Sequence, residues 1–176
     1  MRLHRLIGPQ QEPVSVAAAK KQLEIADSDT AHDEQLIDAI VAAREQLEDD
    51  TPYVCVSQTF ELIADQFPDE CEIEFPVRPI TSLTSITYAG ETLSTEIADL
   101  DRRKRRIVLK HDQEWPDHEF QTDSIVITFV AGYTSQSTVP RLIQRALLLQ
   151  VAKWFEDRDM MMPQTHENFD VAYERV

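Results

Sequence analysis

Glycine is nearly missing from this chain: three in 176 residues, at positions 8, 90 and 132. A phosphate-cradling P-loop or a dinucleotide fingerprint needs clustered glycines, so neither can be built. There is no G-x-S-x-G elbow, no H-E-x-x-H pair and no Cys/His zinc spacing. Cysteine is limited to Cys55 and Cys71, with no C-x-x-C spacing, and both are expected as packed thiols rather than as a disulfide. No apolar run reaches the roughly 18 residues of a membrane span. The opening "MRLHRLIGPQQEP" lacks the apolar stretch of a signal peptide, so the expected compartment is the cytoplasm. Basic charge is scarce as well: 17 Lys and Arg against 32 Asp and Glu leave a net charge of −15. That balance repels phosphates and excludes a general nucleic-acid binder, but it suits a protein that surrounds DNA without gripping it. Without a nucleophile–base pair, a ligand cluster or a cofactor fingerprint, the chain reads as a non-enzyme with no metal and no cofactor.

What is present falls into three blocks. Ser15 is placed to cap a first helix, with Val16, Ala19, Leu23 and Ala26 at helical spacing. Asp29 or Thr30 is placed to cap a second, with a stripe of Leu36, Ile37, Ile40, Val41, Ala43 and Leu47 that Pro52 brings to an end. Residues 53–131 are rich in β-formers. "SQTFELIAD" and "CEIEFP" read as strands, "LTSITYAGETL" as a hairpin turning at Ala89–Gly90, and "TEIADLDRRKRRIVLK" as another. "DSIVITFVAGY" is apolar on both faces and reads as the central strand. From Pro140 the segment "VPRLIQRALLLQVAKWFEDRD" returns to helix, and its apolar residues wrap far more than the roughly 100° that a surface helix buries. Leu147, Val151 and Trp154 are expected to pack with Ile37, Ile40, Val41 and Leu47. The fold class is therefore α+β: a small helical bundle (14–50 and 139–158) with an inserted antiparallel β-rich region (53–131), together a single domain over 1–158. A C-terminal arm follows at 159–176.

Three segments carry candidate functional residues. The run Arg102, Arg103, Lys104, Arg105 and Arg106 is the one basic cluster in an acidic chain. It reads as a solvated turn, a phosphate-contacting patch or localisation signal, or a salt-bridging loop that meets a neighbouring subunit. Residues 24–50 hold ten carboxylates and a single base, Arg44. Most of the ten read as a solvated helix face, with Glu45, Glu48 and Asp49 as candidates to flank a DNA path. Met160, Met161 and Met162 offer adaptable thioethers for a contact surface or lie in a plain linker. "KHDQEWPDHEF" gathers His111, Asp112, Asp117, His118 and Glu119, but ligand types without ligand spacing are weak support for a metal, and a polar turn has the same letters.

The layout resembles a known family: the head–tail connector, or adaptor, proteins of tailed bacteriophages and related gene-transfer particles. "EPVSVAAAKKQLEI" and "DTAHDEQLIDAIVAAREQLEDDT" resemble its first two helices. "SQTFELIADQFP" and "IEFPVRPITSLTSITY" resemble its first strands. "WPD" followed by "IVITFVAGY" and "VPRLIQRALLLQVAKWFEDRD" resembles its last strand and closing helix. The order and spacing of these pieces cover roughly residues 10–160; the "RRKRR" run and the tail after Arg158 match no part of the pattern. The resemblance implies a structural virion protein that forms a ring, twelve copies as a rule, beneath the portal protein. DNA passes through its lumen, a stopper or tail-side neck protein binds below, and assembly takes place in the host cytoplasm. It also implies that the C-terminal segment reaches the portal, which makes Phe155, Arg158, Met160, Met161, Met162, Phe169 and Tyr173 candidates for that contact. An acidic DNA mimic that blocks a DNA-binding enzyme is the alternative, although the uneven charge and the basic run suit it poorly. An enzyme acting on small acidic substrates is a further alternative, for which no catalytic group is found.

Overall fold

The computed structural model describes residues 1–116 and 121–156. Asp117, His118, Glu119 and everything beyond Glu156 lie outside the described residues, including Arg158, Met160, Met161, Met162, Phe169 and Tyr173. The chain divides into two compact units, one of Met1–Pro13 with Glu48–Val139 and one of Val14–Leu47 with the chain from Pro140 onward. The first unit thus takes in more of the chain than the β-rich stretch 53–131 expected from the sequence.

The second unit is helical. Ser15 caps helix α1, Val16–Gln22, by accepting the Ala18 amide at 3.2 Å. The helix is shorter than the spacing to Ala26 suggested, because Glu24 adopts a left-handed φ of 59° and breaks the repeat. Asp29 accepts the Ala31 amide at 3.0 Å in a turn ahead of helix α2, Asp33–Asp50, rather than capping the helix itself. Asp33 and Glu34 then occupy its first turn, where the helix dipole favours anions. Leu36, Ala39, Ile40 and Ala43 form its buried stripe. Ile37 is a correction: it is 46 % exposed, because this stripe turns it to the side of the helix. Val41 and Leu47 are half-buried. Helix α3, Arg141–Glu156, packs against α1 and buries Leu147, Val151 and Ala152, while Trp154 is half-buried. Lys20, itself buried, reaches the Asp27 carbonyl at 3.3 Å and pairs with the Asp33 carboxylate, so its charge is met inside the unit.

The first unit is β-rich. Strand β1, Arg2–Ile7, was not expected from the sequence. It pairs antiparallel with β2, Gln58–Ala64, and a bulge between Arg5 and Ile7 offsets its register. The other strands are β3, Glu72–Glu74; β4, Ile80–Tyr88; β5, Glu91–Leu93; β6, Ala98–Asp101; β7, Arg106–Leu109; and β8, Ile125–Ala131. A five-stranded antiparallel sheet has the order β1-β2-β8-β4-β5, so "IVITFVA" is the central strand as its two apolar faces predict. A second sheet has the order β3-β7-β6. Pairing β2 with β8 sets Phe60 opposite Phe129, Leu62 opposite Ile127 and Ala64 opposite Ile125, all on one buried face. That face meets Ile73, Phe75 and Ile107 of the smaller-sheet region, with the Phe75 and Phe129 rings 4.4 Å apart. Each such side chain contributes roughly 1.5–3 kcal/mol by leaving water. The Ala89–Gly90 turn has the two positive φ values, 50° and 87°, that a two-residue hairpin requires. Cys55 is buried as expected and neither cysteine is in a disulfide, but Cys71 is exposed, a correction to the reading of two packed thiols.

Candidate functional site

The basic run forms the turn between β6 and β7. Asp101 accepts the Arg103 and Lys104 amides, each at 3.1 Å, and Arg105 takes a φ of 56° to close the turn. Two of the five bases are held by the fold. Arg102 donates from Nε to the Thr81 carbonyl at 3.0 Å, and Arg106 pairs with Glu72 and lies 3.8 Å from Asp101. Arg103 and Lys104 stand exposed at the tip. The cluster is therefore a rigid turn carrying outward positive charge, a geometry that serves a phosphate or a carboxylate partner equally well.

The acidic helix separates its three candidates. Glu45 and Asp49 are exposed. Glu48 is not a solvated wall residue: its side chain is only 5 % exposed. Its Oε1 accepts the Cys55 amide at 2.9 Å and Gln58 Nε2 at 2.8 Å, and its Oε2 faces Arg5 at 3.4 Å. This carboxylate fastens β1 and the start of β2 to the end of α2, which sequence spacing did not reveal. Glu34 and Asp38 are also exposed and share the face of Glu45 and Asp49. Arg44, the lone base of the segment, is buried beside Glu45 at 3.5 Å.

On α3, Leu142 is 82 % exposed and Leu149 47 % exposed, with the exposed Ala146 between them. These positions, four and three residues apart, make one apolar line on the helix, which accounts for the excess of apolar residues in its sequence. Phe155 is half-buried and meets His32 edge-on, with ring centroids 5.3 Å apart, so part of its ring is already used within the unit. In the other unit β1 exposes Leu3, Leu6 and Ile7, all six of its residues being exposed. The alternation that marks a half-buried strand is absent from "RLHRLI", which is why the sequence did not announce it. His111 and Asp112 contact each other at 2.9 Å in an exposed turn, and no group of three metal-ligating side chains occurs among the described residues. No described helix is long and apolar enough to cross a membrane.

No protein-family model matches the chain, and no curated protein matches it. Solved structures do. A chain from the neck of an empty gene transfer agent (GTA) particle computed with C6 symmetry aligns with a TM-score of 0.75 at 21 % identity, over 90 % of this chain and 85 % of that one. A chain of the virion of a native GTA particle aligns with a TM-score of 0.72 at 20 % identity, over 90 % and 86 %. A chain from the neck of a native GTA particle computed with C12 symmetry gives 0.68 at 23 %, over 90 % and 85 %. This chain therefore has the α+β fold of proteins found in the neck of gene transfer particles.

Proposed function

We propose that this protein is a structural component of a virion neck: an adaptor that forms a ring beneath the portal, joins capsid to tail and lets DNA pass. The likeness in fold to neck chains over nine-tenths of the sequence carries this reading. Cyclic symmetry in those particles supports a closed ring of this chain, with twelve copies as the expected number. A ring built head to tail presents two different surfaces of each copy to its neighbours, and the uncovered line Leu142–Leu149 supplies apolar area for one of them. The charge of −15 favours a lumen from which DNA is repelled, with Glu45 and Asp49 as candidates to flank it. Phe155, Arg158 and the arm beyond form the contact with the portal, a tail-side neck protein binds the opposite end, and no catalysis is involved.

Native mass measurement of the purified chain, alone and with its portal, tests this. The expected result is a particle near twelve times 20.2 kDa that binds the portal stoichiometrically. A monomer at all concentrations that instead binds a nuclease or repressor tightly would replace the adaptor with the DNA-mimic reading. Deleting residues 163–176 tests the arm. The truncated chain is expected to keep its melting temperature and lose portal binding; the reverse pattern overturns the arm's role.

A further inference from the structure

Four of the large apolar residues that the described chain leaves exposed lie within its first seven positions: Met1 at 64 %, Leu3 at 38 %, Leu6 at 49 % and Ile7 at 51 %. Met1 precedes β1 and the other three belong to it; β1 hydrogen-bonds to β2 along one edge and ends the sheet on the other. An open edge flanked by apolar side chains is a template for another strand, and proteins ordinarily blunt such edges. Among the described residues the opposite end of the same sheet, β5, likewise has no further strand beside it. The two ends differ in the charge of their own residues. Residues 1–7 carry Arg2, His4 and Arg5 and no acid, with His4 facing Glu61 and Arg5 facing Glu48, while residues 80–97, from β4 through β5 to the short turn after it, carry Glu91 and Glu96 and no base, the Arg102 side chain meeting β4 at the Thr81 carbonyl. Arg2 uses one terminal nitrogen on Asp123 and its side chain stays 69 % exposed, so most of its donors point outward.

We propose that β1 of one copy adds to the β5 edge of a second copy, so that the five-stranded sheet continues from subunit to subunit. The pairing rests on the ring reading and supplies one of its interfaces. Joining two unlike edges is a head-to-tail contact, the kind that closes into a cyclic assembly rather than stopping at a dimer. Backbone bonds along the edge provide adhesion, and opposite charge at the two ends selects this pairing over β1 with β1.

The test uses the full chain with Cys71→Ser, which leaves only the buried Cys55 as a native thiol. His4→Cys and Thr92→Cys are introduced separately and together. A bismaleimide bridging about 10 Å, three residue steps along a strand, tolerates uncertainty in register. The proposal expects a ladder of oligomers from the double variant and no cross-link from either single variant. A dimer from His4→Cys alone would mean symmetric β1 pairing and overturn it. Rings of full mass without a ladder would overturn the pairing and leave the ring intact. A chain that stays monomeric at every concentration would overturn the ring reading and this interface with it. As an independent check, Leu6→Lys with Ile7→Lys is expected to leave the melting temperature unchanged and weaken self-association about tenfold or more. Association at the original strength would refute the interface.

Discussion

Replacing Gly132 with alanine isolates the most confined of the three glycines. Gly132 follows the last residue of β8 with a φ of 102°, where an L side chain is strained by roughly 1–2 kcal/mol. A Cβ there would lie 2.1 Å from the Val56 carbonyl oxygen and 2.4 Å from its carbon. Contact distances are nearer about 3.5 Å, so the two segments would have to part by more than 1 Å. Neither is free to move. The Gly132 amide donates to Pro79 O at 2.9 Å, the Ser57 amide donates to Tyr133 O at 2.9 Å, and Val56 is fully buried. Losing two such bonds adds about 1 kcal/mol each, for a total near 3–4 kcal/mol. Gly90→Ala is the internal control. Its φ of 87° is equally left-handed, but nothing lies within 4 Å of the added Cβ, so strain alone, about 1–2 kcal/mol, is expected. Urea unfolding in a Trp154→Phe background reads the correct unit, because Trp115 stacks on Phe67 at 4.8 Å within it. If Gly132→Ala costs no more than Gly90→Ala, the close approach of Val56 is not what demands glycine at this position.

Leu147→Ala should cost about 2–5 kcal/mol in urea unfolding followed by far-UV circular dichroism, which reads the helical unit, whereas Leu142→Ala, 82 % exposed, should leave the monomer unchanged; equal effects would count against the assigned helical core. Glu48→Ala removes the acceptor of the Cys55 amide and Gln58 and should destabilise the chain by about 1–3 kcal/mol, while Glu45→Ala should be near neutral in thermal melts. Glu45→Gln with Asp49→Asn, leaving Glu48 in place, should increase DNA retention by assembled rings most strongly at low salt; unchanged ejection at every ionic strength would place this face away from DNA.

Local chemistry in the sequence determined much of the secondary structure. Ser15 marked a helix start because its hydroxyl replaces a missing backbone partner, and the β-formers of "QTFELIA" marked a strand. "IVITFVA" was legible as the central strand because a strand paired on both edges, with one face buried and the other half-buried, tolerates apolar residues throughout. The basic turn was visible as a charge run, but its rigidity was not, because that comes from Asp101, Thr81 and Glu72 meeting it from other strands. Sequence alone also grouped Glu48 with Glu45 and Asp49, since all three are carboxylates in the last two turns of the same helix. Only the tertiary structure decided that Glu48 is enclosed by Cys55, Gln58 and Arg5, residues that folding brings to it. It likewise decided that Ile37 stands outside the stripe and that "RLHRLI" is an edge strand. Periodicity reports the face a segment buries, and a strand exposed on both faces has none to report.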